Sequence, residues 1–325
     1  MRILITGGAG YIGSVVAHEL TRHGHDLIVY DSLVHGHRSA VPSACQFIHA
    51  DVADSERLDH VFRSQTVDAV MHFAAFIEAG ESMTAPEKYF RNNSANALNL
   101  LEAMLRHGVR KFVFSSTAAV YGDPETVPVR EESALAPTNA YGASKLLVEQ
   151  MLAWLHRAHG LRYCSLRYFN AAGAVGDRGE SHNPETHLIP LLLRAAQAGR
   201  DDFKIFGADY PTPDGTCVRD FIHVADLAQA HRLALGALAE RGPLIYNLGN
   251  GTGFSVRQVL EVAGRVTGKK ITARECPRRP GDPAVLVASS EKIRQELNWQ
   301  PQYPGLDAIV GDAWRFLQKF PNGMA

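Results

Sequence analysis

Short apolar, β-branched runs alternate with longer amphipathic stretches through the first half of the chain, and this alternation predicts its elements. Runs such as Ile3-Leu4-Ile5 and Leu27-Ile28-Val29 predict strands over 2–6, 26–30, 45–49, 69–73, 111–115 and 162–167. Between them, apolar positions at helical spacing predict helices over 13–23, 56–64, 86–107 and 141–159. Each helix is long enough to return the chain parallel to the preceding strand. That is the plan of a doubly wound, Rossmann-type α/β sheet, with its ligand cleft at the carboxyl ends of the strands. After about Phe169 the rhythm changes. Gly- and Pro-rich stretches at 173–184, 207–215 and 276–283 predict a smaller, loop-rich lobe, while 223–239 and 244–248 read again as helix and strand. The expected division is a dinucleotide-binding unit over 1–169 with a return segment at about 220–250, and a discontinuous second lobe within 170–325 for the other ligand.

Composition narrows the partners. A chain of 325 residues accommodates one large unit or two units sharing a cleft. Net charge −1 and a pI near 7.0 give no polyanion-binding surface, so no nucleic acid is expected, although a local arginine cluster can still meet a small phosphorylated ligand. Cys45, Cys164, Cys217 and Cys276 are scattered without a C-x-x-C pair and read as reduced thiols. Apolar segments are too short to span a membrane and Met1-Arg2 leads directly into a strand-like run, so a cytoplasmic address without membrane association is expected. The 15 histidines lack the paired helical spacing of a metalloprotease motif, and no metal is expected.

The chemistry enters with Thr6-Gly7-Gly8-Ala9-Gly10-Tyr11-Ile12-Gly13, a strand end followed by a glycine loop and a helix start. Glycines there permit a tight turn and close approach of backbone to a pyrophosphate, whose charge is met by the helix N-terminus. Asp31, at the end of the second predicted strand, stands where a carboxylate accepts from an adenosine ribose, which favours NAD over NADP. Asp51 either contacts adenine or caps the following turn. Tyr141 and Lys145, four residues apart, share one helical face, and a lysine charge beside a phenol lowers its pKa towards that of a usable base.

The glycine loop and Tyr141-Gly142-Ala143-Ser144-Lys145 together resemble the extended short-chain dehydrogenase/reductase family, over nearly the whole chain. Further segments are similar to the UDP-hexose 4-epimerases within it: His72-Phe73-Ala74-Ala75, Ser115-Ser116-Thr117-Ala118-Ala119-Val120-Tyr121-Gly122, Arg167-Tyr168-Phe169-Asn170, Gly215-Thr216-Cys217-Val218-Arg219-Asp220-Phe221-Ile222-His223 and Arg278-Arg279-Pro280-Gly281-Asp282. The resemblance implies NAD-dependent 4-epimerisation of a UDP-hexose through a 4-keto intermediate, with hydride returned to the opposite face. UDP-glucose/UDP-galactose is the main expected pair and UDP-GlcNAc/UDP-GalNAc a further one. It assigns proton exchange with the 4-hydroxyl to Tyr141. It gives Lys145 the nicotinamide ribose and the depression of the tyrosine pKa. Thr117, placed just beyond the strand 111–115, receives the hydrogen bond to the reacting sugar oxygen. Cofactor contacts are implied for Gly7, Gly10, Tyr11, Ile12, Gly13, Asp31, Ser32, His35, Gly36, Asp51, Val52, Phe73, Ala74, Ala75, Asn92, Ser115, Tyr168 and Phe169. Substrate contacts are implied for Asn170, His187, Leu188, Phe206, Arg219, Arg279, Asp282 and Leu286. A homodimer through the helices at 86–107 and 141–159 is also implied.

Departures from the family pattern sharpen these expectations. Ile77 replaces a cofactor-binding lysine found in some members, and Thr186-His187-Leu188 brings an imidazole where an asparagine is usual. Leu286 matches a hexose-pocket position at which a bulky residue restricts N-acetylated sugars and a small one admits them. Ala118-Ala119 follows Thr117 where 4,6-dehydratases carry an acid pair, which disfavours elimination. Epimerases of UDP-uronates or UDP-pentoses, and a non-catalytic NAD-sensing protein, remain as alternatives.

Overall fold

The computed structural model describes residues 1–199, 203–279 and 282–324. Seven strands form one parallel sheet: β1 (Arg2–Thr6), β2 (Asp26–Asp31), β3 (Gln46–His49), β4 (Ala69–His72), β5 (Lys111–Thr117), β6 (Arg162–Tyr168) and β7 (Leu244–Leu248). Their spatial order is β7-β6-β5-β4-β1-β2-β3. Winding runs outward in both directions from the β1/β4 junction, so the loops after β1 and β4 diverge there and open a crevice. The register sets Ile5 beside Val29 on one side and Met71 on the other.

The period-two pattern of each strand divides the core into two layers. Ile3 and Ile5 of β1 pack with α1 (Tyr11–Arg22) and the helix Val224–Ala237, whereas Leu4 packs with Leu58, Leu100, Val148 and Leu152 on the opposite face. Those last residues belong to α2 (Ser55–Ser64), α3 (Asn96–Arg106) and α4 (Ala140–His159). The single helix expected over 86–107 is interrupted: Pro86–Tyr89 and α3 flank a π-helical stretch, Phe90–Ala95. Asn93 explains the break. Its side chain accepts from Phe76 N (2.9 Å) and donates to Phe76 O (3.0 Å) and Ser144 Oγ (3.1 Å), tying this segment to the loop after β4 and to α4. β5 also extends beyond the expected end, so Thr117 is its last residue instead of lying past it.

The remaining chain builds a third apolar cluster from α5 (Leu188–Ala198), α6 (Val256–Thr267) and α7 (Leu306–Lys319), joined by Phe203, Ile205 and Phe221. The strand Val218–His223 organises this region, pairing with Asn170–Ala172, Gly253–Ser255 and Val285–Leu286. Trp299, fully buried, packs into the core of the main sheet and donates from Nε1 to Asp226 O at 3.1 Å.

Candidate active site

A cavity of about 760 Å³ opens along the carboxyl ends of the central strands. Its first wall is the glycine loop. Gly7 has φ +73°, and a Cβ there would meet Ala74 N at 2.4 Å, so only glycine allows the loops after β1 and β4 to touch. At Gly10 an added Cβ would meet only Gly7 O at 3.4 Å and would otherwise project into the cavity, leaving a concave strip of bare backbone. α1 begins there with no side-chain cap and no acidic residue in its first turn, so its leading N–H groups remain available to an anion. These features fit a dinucleotide pyrophosphate.

Asp31 is buried at the end of β2. Its Oδ2 accepts from Ala9 N (2.9 Å) and its Oδ1 from Leu33 N (2.8 Å), which fixes the carboxylate against the glycine loop; burial raises its pKa against these bonds. Asp51 adopts the capping arrangement, Oδ1 accepting from Ala53 N at 2.8 Å, and it still lines the cavity beside Val52. Ser32, His35, Gly36, Tyr11, Ile12 and Gly13 border the same region, with Tyr11 Oη donating to Gly173 O at 2.6 Å. Phe73, Ala74, Ala75 and Asn92 form the wall beyond β4, and Asn92 belongs to the π-helical stretch.

At the centre stand Thr117, Tyr141 and Lys145, flanked by Ser115, Tyr168 and Phe169. α4 starts at Ala140 because Asn139 caps it, its side chain accepting from Gly142 N at 2.8 Å, and this cap sets Tyr141 in the first turn facing the end of β5. Lys145, 2% exposed, donates from Nζ to Ser115 O at 2.8 Å and lies 4.9 Å from the centre of the Phe114 ring. Burial brings its pKa down to about 7. The Tyr141 phenol departs from the expectation. Burial raises its pKa, and only the hydrogen bond from Thr117 opposes that rise, while Glu78 adds to it. The lysine does not offset this rise: with its own pKa brought down to about 7 by burial, it has lost its charge before the phenol ionises.

The far end is lined by Asn170, His187, Leu188, Phe206, Arg219, Arg279 and Asp282. Arg219 forms a short ion pair with Asp282, and the Arg279 guanidinium lies 4.0 Å over the Phe206 ring. α5 begins after His187 with no side-chain cap and no acidic residue in its first turn, giving a second helix N-terminus at the same cavity. Pro280 and Gly281 of the arginine motif lie outside the described residues. Leu286 is the one expected contact that does not line the cavity. It is half-buried one layer back, against a cluster that includes Ala118, Tyr121 and Phe169.

Glu180 and His182 also face the cavity and were not singled out by sequence. Their signal is the repeated Glu-x-His spacing of Glu180-Ser181-His182 and Glu185-Thr186-His187. A buried network stands behind the centre. Arg167 pairs with Glu149 (2.6 Å), Glu149 accepts from Ser116 Oγ (2.5 Å), and Arg167 donates to Tyr121 Oη (2.7 Å), which donates to Asn247 Oδ1 (2.7 Å).

A parallel sheet with a glycine cradle at its switch point, and a buried tyrosine, lysine and threonine facing it, defines a dinucleotide-dependent enzyme of the dehydrogenase type. The profile of the NAD dependent epimerase/dehydratase family matches residues 3–249, and the chain belongs to that family. It is 50% identical over 328 residues to a UDP-glucose 4-epimerase of Streptococcus mutans, covering 99% of this chain and 98% of the relative. The crystal structure of UDP-glucose 4-epimerase from Brucella ovis in complex with NAD superposes with a TM-score of 0.94 at 44% identity, covering 97% of this chain and 98% of that one. The crystal structure of UDP-glucose 4-epimerase from Bifidobacterium longum in complex with NAD+ and UDP gives a TM-score of 0.95 at 36% identity, covering 100% of both chains.

Proposed function

We propose that the chain interconverts UDP-glucose and UDP-galactose by NAD-dependent 4-epimerisation. The observation that carries this reading is that one cavity joins two helix N-termini free of side-chain caps and acidic first turns, with Tyr141, Lys145 and Thr117 between them. Two diphosphates, one from NAD and one from the nucleotide sugar, match those two anion-binding ends. Arg219 and Arg279 add positive charge at the sugar-nucleotide end. NAD, when bound, supplies the acceptor that takes the C4 hydride and gives it back.

The chain's own residues manage the proton and the positions. Tyr141 takes the 4-hydroxyl proton as the sugar becomes a 4-keto species, and returns it when the hydride comes back to the opposite face. Thr117 donates to the phenol oxygen and so favours the phenolate. Lys145 is anchored beside the ribose-facing wall by Ser115. Asp282 leaves Arg219 for a ribose hydroxyl when the guanidinium meets phosphate. The cofactor unit is assigned to 1–169 with the return segment at about 220–250, and the sugar-nucleotide lobe to 170–325.

Coupled assays of both directions on the purified protein, without added NAD, test the reading. Turnover of UDP-glucose and UDP-galactose is expected; its absence even with added NAD sinks the proposal. No helix among the described residues is long and apolar enough to cross a membrane, and we infer a cytoplasmic enzyme. A homodimer through Pro86–Tyr89, α3 and α4 is supported by Phe90, Leu147 and Trp154, 38%, 40% and 67% exposed on this side of the chain. Sedimentation velocity reporting a monomer would remove the dimer.

A further inference from the structure

Two Glu-x-His units converge at one edge of the cavity. One ligand atom from each of Glu180, His182 and His187 lies within 4.8 Å of the other two. His182 Nδ1 makes a short ion pair with Glu180, and His187 Nδ1 is 2.8 Å from Glu185 Oε1 and 3.8 Å from Glu180 Oε2. The two imidazole centroids are 5.6 Å apart. Glu185 supplies an independent sign. Its side chain is 1% exposed, and Oε1 accepts from Thr186 N, His187 N and the His187 ring, yet Oε2 has no hydrogen-bond partner. A carboxylate buried with one oxygen unpaired is costly unless a cation compensates it. One such carboxylate, beside Glu180 and two imidazoles at a site the hydride chemistry does not require, forms a donor cluster that a cation can complete.

We propose that Glu180, His182 and His187 bind a single divalent transition-metal cation of the zinc type, with Glu185 as the outer carboxylate that orients His187. Two imidazoles and one carboxylate are a donor set that zinc accepts, leaving a fourth position to water. Calcium or magnesium would require more oxygen donors than this cluster offers. The donor atoms must close from within 4.8 Å to roughly 3.3 Å for tetrahedral bonds of about 2.0–2.1 Å, a side-chain adjustment within one loop. The cation displaces the proton shared between His182 and Glu180, while His187 keeps its Nδ1 proton on Glu185 and ligates through Nε2.

The test is a titration of chelator-treated protein, its bound dinucleotide left in place, with zinc chloride, followed by calorimetry and by competition with a chromophoric chelator. One zinc per chain at micromolar affinity or better is expected. His182→Ala and Glu180→Gln should each weaken it by at least about tenfold, and Glu185→Gln by about tenfold through loss of orientation. Cys276→Ser, which removes a half-buried thiol, should leave binding unchanged. Circular dichroism checks each variant's fold, with His182→Gln as the conservative substitute. Cobalt substitution of the unaltered protein provides a readout independent of variants: intense four-coordinate d–d bands without thiolate charge transfer are expected. Binding no tighter than millimolar, binding that survives loss of His182, or a thiolate band overturns the proposal.

Discussion

Burial holds the Tyr141 phenol above its ordinary range while the hydrogen bond from Thr117 pulls it down. Removing the phenol, by Tyr141→Phe, is expected to lower kcat by about 10²- to 10⁴-fold with NAD retained, measured by turnover and cofactor absorbance. Thr117→Val should shift the rising limb of the kcat profile to higher pH, since one force favouring the phenolate is gone. At Leu286 the change is relayed. Leu286→Gly loosens the packing around Phe169 and Ala118 without touching the cavity wall, so the ratio of N-acetylhexose to hexose turnover should rise by no more than about tenfold. The identities of Tyr141, Lys145 and Thr117 are legible in sequence because their motifs are local. The direction of the phenol shift is not, because it depends on the burial of both the phenol and the lysine. The layer that Leu286 occupies is equally a property of packing.

The ends of β5 and β6 are locked to the middle of α4 by Ser116, Arg167 and Glu149. Arg167 and Glu149 are 2% and 5% exposed, and the carboxylate holds the guanidinium pKa above its ordinary value despite burial. Glu149→Ala leaves that cation uncompensated and is expected to cost about 3–5 kcal/mol, read from the urea midpoint. A double replacement of Glu149 and Arg167 by apolar residues of similar volume should cost less than the single change. Strand positions are legible because period-two runs of Ile, Val and Leu have few alternatives. The π-helical stretch at Phe90–Ala95 is not, since the apolar spacing of 86–107 fits one continuous helix and the interruption arises from Asn93 bonding Phe76 and Ser144.

Across the whole molecule, buried histidines set the acid limit. Burial brings His72 down to about 3 and His223 and His231 down to about 4. The unfolded chain binds protons at these sites from about pH 6.5 downwards while the native state does not, so their stabilisation is complete above that pH and is lost as pH falls towards 4. Thermal midpoints at pH 7.5 and pH 5 should show a lower value at pH 5, and His231→Gln should flatten the difference. The parallel sheet is legible from the alternating elements. The meeting of Glu180, His182 and His187 is not, because a loop rather than a helical repeat brings them together. β7 carries one more consequence. Because Leu244–Leu248 pairs with β6, the ribosome must release more than seventy residues after β6 before that strand has its outer neighbour. Until then the edge of β6 stands open to other nascent chains, and slow delivery of Leu244–Leu248 lengthens the time over which that edge can mispair.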